Sequence, residues 1–332
     1  MFPSFVTLTE VGPREGFQYE GAGRAEPIPL AGKLRLINAL ARTGVSVVQI
    51  ASFVSPKIVP QMADAELICN HVARVAGVAY TGIYLNAAGL RRALGTGTLQ
   101  VRGELMFSAS EIFALRNQKR TFADEIVAQK GLATTYRDHG IAVDTCNIMA
   151  AFGCNFDGAI PLERVLGLIE AATGIAANEG ASELRYVQLA DTMGWANPEQ
   201  IRRTVRAVKE RWTNISISLH LHNTRGLAVA NVYAALLEGV DRFDTAIAGL
   251  GGCPFAGHVG AAGNVATEEV AFLCQELGIE TGLDLAALTD SARIAEEVVG
   301  HPLPSQLAQM RGPSLTLSRR TDARSEQDDS NG

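Results

Sequence analysis

Residues 215–222 read Ile-Ser-Ile-Ser-Leu-His-Leu-His, an alternation of apolar and polar side chains that favours a β-strand. Successive side chains of a strand point to opposite faces, so the apolar residues share one face and the serines share the other with His220 and His222. The apolar face is expected to pack against helices. Both imidazoles are therefore predicted to lie together at the end of the strand, on its other side.

This segment is one of eight short apolar runs that alternate along the chain with stretches of helical character. The predicted strands are Phe5–Val11, Val45–Ile50, Val78–Leu85, Leu99–Phe107, Ile141–Met149, Leu184–Ala190, Ile215–His222 and Arg242–Ala248. Eight alternating units over residues 5–277 are the number that a (β/α)₈ TIM barrel requires. The sequence thus predicts an α/β protein with a single barrel.

The segments between the strands carry apolar residues at three- and four-residue spacing, which predicts helices. The clearest are Leu30–Arg42, Leu162–Glu179, Pro198–Arg211 and Leu227–Glu238. Ser108–His139 is long enough for two helices, and Leu283–Val299 predicts one more after the barrel. We expect a catalytic barrel over residues 1–280, an appended helical segment over 281–312 and a disordered polar tail over 313–332.

The composition favours small-molecule chemistry. Of the 332 residues, 47% are hydrophobic and 19% charged, which suits a large buried core. The net charge of -6 offers no basic face for nucleic acid or an anionic membrane, so neither partner is expected. Five cysteines without a Cys-x-x-Cys pair argue against a disulfide framework, and no targeting segment is recognised. A cytoplasmic location is predicted.

A barrel of this kind places its active site at the carboxyl ends of its strands. There, His220 and His222 present two neutral nitrogen donors, a common way to bind a metal ion. Oxygen ligands are available from Glu15, after the first strand, and Asn264, after the eighth. Two nitrogens with a carboxylate, an amide oxygen and open water positions suit Mg²⁺ or Mn²⁺ better than a structural zinc ion.

Several segments near these residues resemble one enzyme family. They are residues 11–18 (Val-Gly-Pro-Arg-Glu-Gly-Phe-Gln), 52–57 (Ser-Phe-Val-Ser-Pro-Lys), 59–62 (Val-Pro-Gln-Met), 191–194 (Asp-Thr-Met-Gly), 220–224 (His-Leu-His-Asn-Thr), 249–256 (Gly-Leu-Gly-Gly-Cys-Pro-Phe-Ala) and 263–268 (Gly-Asn-Val-Ala-Thr-Glu). In order and strand position they resemble the 3-hydroxy-3-methylglutaryl-CoA lyase family. This family belongs to a larger group of barrel enzymes that cleave or form carbon–carbon bonds next to a thioester.

The resemblance implies a metal-dependent retro-Claisen cleavage of a 3-hydroxyacyl-CoA. The lead substrate is 3-hydroxy-3-methylglutaryl-CoA, which would give acetyl-CoA and acetoacetate. By similarity, Mg²⁺ or Mn²⁺ is bound by Glu15, His220, His222 and Asn264. The family also implies a homodimer with an acyl-CoA as its substrate.

Other catalytic roles are also implied by the resemblance. Arg14 would place its charge against the thioester oxygen, and Cys253, in a Gly-Gly-Cys-Pro loop, would donate or accept a proton. Asp191 matches an acid/base or metal-orienting residue, although an aspartate at an Asp-Thr-Met-Gly turn also fits a purely local role. Lys57 in the Ser-Pro-Lys segment and Glu268 are further substrate-binding candidates.

Three departures from the family pattern touch the expected pocket. Glu15 replaces an aspartate, and Gln49, a further catalytic candidate, replaces a glutamate and so removes a charge. The interval from Cys253 to Asn264 is two residues longer and contains His258, which could contact a substrate carboxylate. These changes point to a related acyl group, such as citramalyl-CoA or a longer branched 3-hydroxyglutaryl-CoA.

Two other functions stay open on the sequence. A condensing enzyme of the isopropylmalate-synthase type would share the barrel and the metal, but the Gly-Gly-Cys-Pro loop and the lack of a large regulatory domain disfavour it. A non-catalytic CoA- or metabolite-binding protein would explain Glu15 and Gln49. Such a protein would have no need of Arg14, both histidines, Cys253 and Asn264 together.

Overall fold

The computed structural model describes residues 2–20, 27–252 and 263–310. Within these ranges, eight parallel strands form one curled sheet with helices around it, which confirms the predicted (β/α)₈ TIM barrel. Numbered β1 to β8 along the chain, the strands are Thr7–Glu10, Val47–Ser52, Ala79–Ile83, Gly103–Ser108, Val143–Met149, Tyr186–Asp191, Ser216–Leu221 and Arg242–Thr245. Each of them overlaps one predicted run.

The strands follow the order β3, β2, β1, β8, β7, β6, β5, β4, so each lies beside its neighbours in sequence and β1 pairs with β8. The sheet closes between β3 and β4, where the backbone N–H of Gln100 donates to the carbonyl oxygen of Tyr80 at 2.8 Å. All carboxyl ends therefore meet at one rim, where a barrel active site is expected.

Helices follow the strands as the spacing predicts. They are Leu30–Leu40, Ala65–His71, Ala87–Gly95, Glu111–Gln118, Phe122–Asp138, Leu162–Asn178, Pro198–Arg211, Ala228–Leu237 and Thr267–Glu276, with Leu285–Val299 and Gln306–Gln309 after the barrel. The two helices expected within residues 108–139 are both present. One further helix, Gly12–Glu20, was not predicted; it begins directly after β1. A short antiparallel hairpin pairs Gly153–Cys154 with Gly158–Ala159.

The helix Leu285–Val299 packs against Leu30–Leu40, and Arg35 pairs with Glu297 across this contact at 2.6 Å. The boundary at residue 280 stays a prediction, and residues 313–332, the predicted tail, lie outside the described ranges. No helix in the described ranges is long and apolar enough to cross a membrane.

The inside of the barrel, here called the lumen, is unusually polar. A barrel lumen is commonly filled by branched apolar side chains. Here the strands β4, β5, β6 and β8 contribute Glu104, Asn147, Gln188 and Asp244, respectively, to a cavity inside the barrel. The apolar positions of the same strands face outwards to the helices; on β6, for example, Leu189 is fully buried. Buried polar groups need partners, so the lumen side chains are expected to pair with each other.

Glu10 is a buried carboxylate that joins three parts of the barrel rim. Its oxygens accept from the backbone N–H groups of Gly12 (2.7 Å) and Ile247 (3.1 Å) and from the hydroxyl of Thr267 (2.6 Å). Burial raises the pKa of Glu10 to about 7, although these donors act in the opposite direction. At neutral pH the folded state thus holds a proton on Glu10 far more often than the unfolded chain does.

Replacing Glu10 by glutamine is expected to stabilise the protein at high pH. The contribution of a carboxyl with a raised pKa is complete below its unfolded value and is lost as the pH rises through the folded value, here about 7. Glutamine keeps an acceptor for both N–H groups and has no charge. Denaturant titrations at about pH 5 and about pH 8 give the unfolding free energy that each protein loses as the pH rises. This loss should be smaller in Glu10→Gln than in the wild type by about 3 kcal/mol. The exposed control Glu276→Gln should leave that loss unchanged. An equal loss in Glu10→Gln and the wild type would contradict the prediction.

Candidate active site

His220 and His222 lie at the carboxyl end of β7, as the alternation predicts. Leu219 and Leu221 are fully buried on the opposite face, so the two imidazoles share the inner side of the strand. Their ring centroids are 5.0 Å apart, and both residues are buried.

Glu15 reaches the same point from the helix Gly12–Glu20. The carbonyl oxygen of Val11 accepts from the N–H groups of Arg14 (3.1 Å) and Glu15 (2.9 Å), which starts this helix at the strand end. Glu15 Oε1 lies 2.9 Å from His222 Nε2, and Oε2 lies 3.5 Å from His220 Nε2. The structure thus brings three of the four predicted metal ligands together, with ligand atoms within 4.8 Å of one another.

An acceptor holds the second nitrogen of each imidazole. His220 Nδ1 lies 3.1 Å from Asp244 Oδ2, and His222 Nδ1 lies 3.1 Å from the carbonyl oxygen of Asp191. Carboxylate and carbonyl oxygens only accept, so both Nδ1 atoms donate, and in neutral rings each Nε2 carries a lone pair. Both lone pairs then face the carboxylate of Glu15. Such a meeting of electron pairs requires a positive charge between them, supplied by a proton or by a metal ion.

The electrostatics agree with this requirement. Burial opposes a charge on His220, but the carboxylates of Glu15 and Asp244 outweigh it and raise the pKa of His220 to about 10. Burial also opposes a charge on Glu15, yet His220 and Arg14 hold the pKa of Glu15 well below its usual range. A metal ion competes with the proton for the same lone pair. The cluster is therefore suited to a divalent cation.

Asn264 faces His222, with which it forms an isolated antiparallel β-bridge. Its Nδ2 donates to the carbonyl oxygen of Leu250 at 3.2 Å, while its Oδ1 is buried and has no partner in the described part of the chain. A buried amide oxygen without a donor costs free energy, and a cation would satisfy it. Gly251 allows the close approach, since a Cβ there would lie 2.8 Å from Asn264 Nδ2. The donor set fits the predicted metal.

Arg14 lies beside this cluster and is held from two sides. Its Nε donates to Oε1 of Gln49 on β2, and its Nη1 forms a 3.0 Å ion pair with Glu15 Oε2. The side chains of Arg14 and Glu15 are 14% and 12% exposed, so the guanidinium has little room to move. Because Gln49 is uncharged, it fixes the direction of Arg14 without neutralising it.

Asp191 is buried at the end of β6, and its carboxylate is committed to the following turn. It accepts from the backbone N–H groups of Trp195 (2.6 Å) and Ala196 (3.0 Å). Burial raises the pKa of Asp191 to about 6 despite these donors. Asp191 thus has the local turn role that its sequence context allowed, and its main chain also contacts His222. Its side chain does not line the cavity beside the histidines.

Four other candidates are not placed at the cluster. Cys253 and His258 lie outside the described residues. Lys57 is exposed in the turn after β2. Glu268 is buried at the start of the helix Thr267–Glu276, where it accepts from the N–H of Ala248 at 3.0 Å. Neither Lys57 nor Glu268 lines the cavity, so their contact with substrate stays a prediction.

A cavity of about 180 Å³ opens beside Arg14 and the two histidines. Asn147 and Gln188 line both this cavity and the lumen, and so form the floor between them. Asn147 Nδ2 donates to Glu104 at 3.0 Å, and Gln188 Nε2 donates to Asp244 at 2.9 Å. Sequence analysis missed these four residues. Their signal is a polar side chain at a lumen-facing position of a predicted strand.

Much of the remaining cavity wall is apolar. It includes Val54, Ile83, Leu85, Met106, Phe113 and Met149, which lie in or after the strands β2 to β5. The cavity thus combines one side that carries Arg14, Glu15 and the two histidines with one side that suits hydrocarbon.

The fold and the site define the class: a barrel enzyme with a metal-ligand cluster at the carboxyl ends of its strands. Residues 6–295 match the HMGL-like family model. The (R)-citramalyl-CoA lyase of Chloroflexus aurantiacus is 36% identical over 90% of this chain and 93% of its own length. The 3-hydroxy-3-isohexenylglutaryl-CoA/hydroxymethylglutaryl-CoA lyase of Pseudomonas aeruginosa is 36% identical over 92% and 97%.

Among solved structures, an HMG-CoA lyase from Acinetobacter baumannii in complex with coenzyme A and 3-methylmalate superimposes with a TM-score of 0.81. It is 35% identical and covers 96% of this chain and 97% of its own. The chain belongs to the HMGL-like family. It is a carbon–carbon lyase that acts on acyl-CoA.

Proposed function

We propose that the chain cleaves the C2–C3 bond of a 3-hydroxyacyl-CoA and depends on Mg²⁺ or Mn²⁺. The lead substrate is 3-hydroxy-3-methylglutaryl-CoA, with acetyl-CoA and acetoacetate as products. The observation that carries this proposal is the convergence of Glu15, His220 and His222 beside Arg14 in one cavity. The related lyases and the solved complex with coenzyme A support the substrate class.

The reaction removes the hydroxyl proton, passes the C2–C3 electron pair to C2 and the thioester, and protonates C2 to give the new acyl-CoA. A bound divalent ion supplies Lewis acidity that lowers the pKa of the substrate hydroxyl. Arg14, directed by Gln49 and Glu15, would place a fixed positive charge where the enolate oxygen develops. The proton-transfer role of Cys253 stays a prediction.

Asp191 serves the proposed reaction by orienting a ligand. Its carboxylate fixes the turn, and its carbonyl oxygen accepts from His222 Nδ1, which directs Nε2 towards Glu15. We therefore propose that, besides its local role in the turn, Asp191 orients a metal ligand and does not act as an acid or base. The homodimer and the cytoplasmic location stay predictions.

Two features favour a related acyl group as the second candidate, either citramalyl-CoA or a longer branched 3-hydroxyglutaryl-CoA. Gln49 carries no charge beside Arg14, and the apolar wall has room for hydrocarbon. Relatives that act on such substrates are about as similar to this chain as the solved HMG-CoA lyase.

One assay tests both candidates. Purified protein is freed of metal by a chelator and supplied with Mg²⁺ or Mn²⁺ and a panel containing the methylglutaryl, citramalyl and longer branched substrates. Release of the shorter acyl-CoA is followed for each. We expect metal-dependent cleavage of at least one member. Failure to cleave any, with intact binding of CoA, would contradict the proposal.

Replacing Gln49 by glutamate is expected to shift the preference towards 3-hydroxy-3-methylglutaryl-CoA. The new carboxylate would pair with Nε of Arg14, a residue that lines the cavity, and add one negative charge beside it. The ratio of kcat/KM for this substrate over the best competitor should rise about tenfold. The surface variant Gln200→Glu adds the same charge in the capping box of Pro198–Arg211 and should leave the ratio unchanged. A uniform loss on all substrates would show that residue 49 does not set the preference.

A further inference from the structure

The two imidazoles of the ligand cluster are held in different ways. His222 Nδ1 donates to a main-chain carbonyl oxygen, that of Asp191, whose position is set by the end of β6. His220 Nδ1 donates to a side chain, the carboxylate of Asp244. The orientation of His222 is therefore fixed by the backbone, whereas that of His220 depends on a group that can be replaced.

The register of the barrel explains the contact between His220 and Asp244. The two residues are paired in register on the adjacent parallel strands β7 and β8, so their side chains leave the sheet side by side on the lumen face. Asp244 reaches the Nδ1 edge of the ring, and Glu15 faces the Nε2 edge. Asp244 therefore contacts His220 on the ring edge opposite Glu15, and Nε2 stays directed at the proposed metal position.

Asp244 is itself held from the other side of β7. Gln188, on β6, donates to the same oxygen, Oδ2, at 2.9 Å. Asp244 is buried near the carboxyl end of β8, and its Oδ2 has two donors, one from His220 and one from Gln188. A carboxylate with two donors on one oxygen has a defined orientation.

We propose that Asp244 is a positioning residue, held by Gln188, that orients His220 so that its Nε2 lone pair points at the metal ion. The proposal rests on the proposed metal dependence of the chain. Hydrogen bonds from a ligating histidine to a carboxylate fix the ring and increase its basicity, and their loss commonly weakens metal binding. Gln188 then acts through Asp244 and not on the metal.

Direct titration of metal-free protein with Mn²⁺ by calorimetry tests this proposal. Asp244→Asn keeps the shape and an acceptor but removes the charge, and should weaken Mn²⁺ binding about 10- to 100-fold. The midpoint temperature of thermal unfolding of the metal-free variant should stay close to that of the metal-free wild type. At saturating Mn²⁺, kcat should recover most of its value, because the role is orientation. Unchanged Mn²⁺ affinity would overturn the proposal. No Mn²⁺ binding by the wild type would instead contradict the proposed function.

The lumen supplies a matched control. Glu104 is a carboxylate that accepts from a floor amide, Asn147, just as Asp244 accepts from Gln188, but it has no hydrogen bond to a ligand histidine in the described structure. Glu104→Gln should leave the Mn²⁺ affinity unchanged within about twofold. Equal weakening by both variants would assign the effect to the general charge of the lumen and would overturn the proposal.

A double-mutant cycle tests the part played by Gln188. Gln188→Leu should weaken Mn²⁺ binding by severalfold in the wild type and have little further effect when combined with Asp244→Asn. Independent, additive effects would show that Gln188 does not act through Asp244. If Gln188→Leu has no effect in either background, Asp244 needs no support from β6.

Discussion

Replacing His220 by alanine is expected to abolish the stimulation of cleavage by Mg²⁺ or Mn²⁺. The imidazole is one of three groups whose ligand atoms lie within 4.8 Å of one another, and its removal leaves His222 as the only nitrogen ligand of the proposed set. Loss of Lewis-acid assistance of several kcal/mol should lower kcat/KM by about 10³-fold or more. The fold should be retained, because the side chain projects into a cavity and is not part of the apolar core.

The measurements are initial rates with and without added metal, Mn²⁺ binding by calorimetry, and thermal unfolding followed by circular dichroism. The control is His71→Ala, which removes an exposed imidazole bonded within its own helix to the carbonyl oxygen of Leu67. Metal dependence in His220→Ala equal to that of the wild type would remove this histidine from the ligand set. Loss of the native circular dichroism would instead assign it a role in the fold.

The fold could be predicted well because its signals are local. The two-residue period of β7 and the alternation of strands with helices are both visible in a single sequence, and the barrel polarity then brings His220, His222 and Glu15 to one rim. The two helices Glu111–Gln118 and Phe122–Asp138 could be predicted from the length of the segment between β4 and β5 alone.

The helix that carries Arg14 and Glu15 could not be predicted in this way. Its first residues are Gly12 and Pro13, and Gly16 follows, so its intrinsic helix propensity is poor. Tertiary contacts stabilise it instead: Phe17 is fully buried, and Glu10, which accepts from the N–H of Gly12, is itself held by Ile247 and Thr267. Packing of this kind overrides local preference, and the sequence offers no direct sign of it.

The partners of the two histidines were missed for a different reason. Asp244 contacts His220 because β7 and β8 are paired in that register, and a shift by one residue would turn its side chain away from the lumen. Register between strands is not a property of either strand alone. The partner of His222 is a carbonyl oxygen of Asp191, and main-chain groups have no side-chain signature.

Replacing Arg14 by methionine is expected to lower kcat about 10³-fold while leaving KM within about threefold, because the lost interaction is made with charge that develops only in the transition state. The guanidinium is already directed by Gln49 and Glu15, so its contribution needs no rearrangement during the reaction. Arg14→Lys should retain part of the rate, since a point charge remains but the planar fork that joins both partners is lost.

The affinity for Mn²⁺ distinguishes the loss of activity in Arg14→Met from that in His220→Ala. Arg14 is not a proposed ligand, and it forms an ion pair with Glu15, so removal of its charge should leave Mn²⁺ binding unchanged or tighter. The exposed control Arg35→Met breaks the surface pair with Glu297 and should leave kcat unchanged. A rise in KM at constant kcat would show instead that Arg14 binds the substrate in its ground state. The electrostatic stabilisation of the enolate would then have to come from another group.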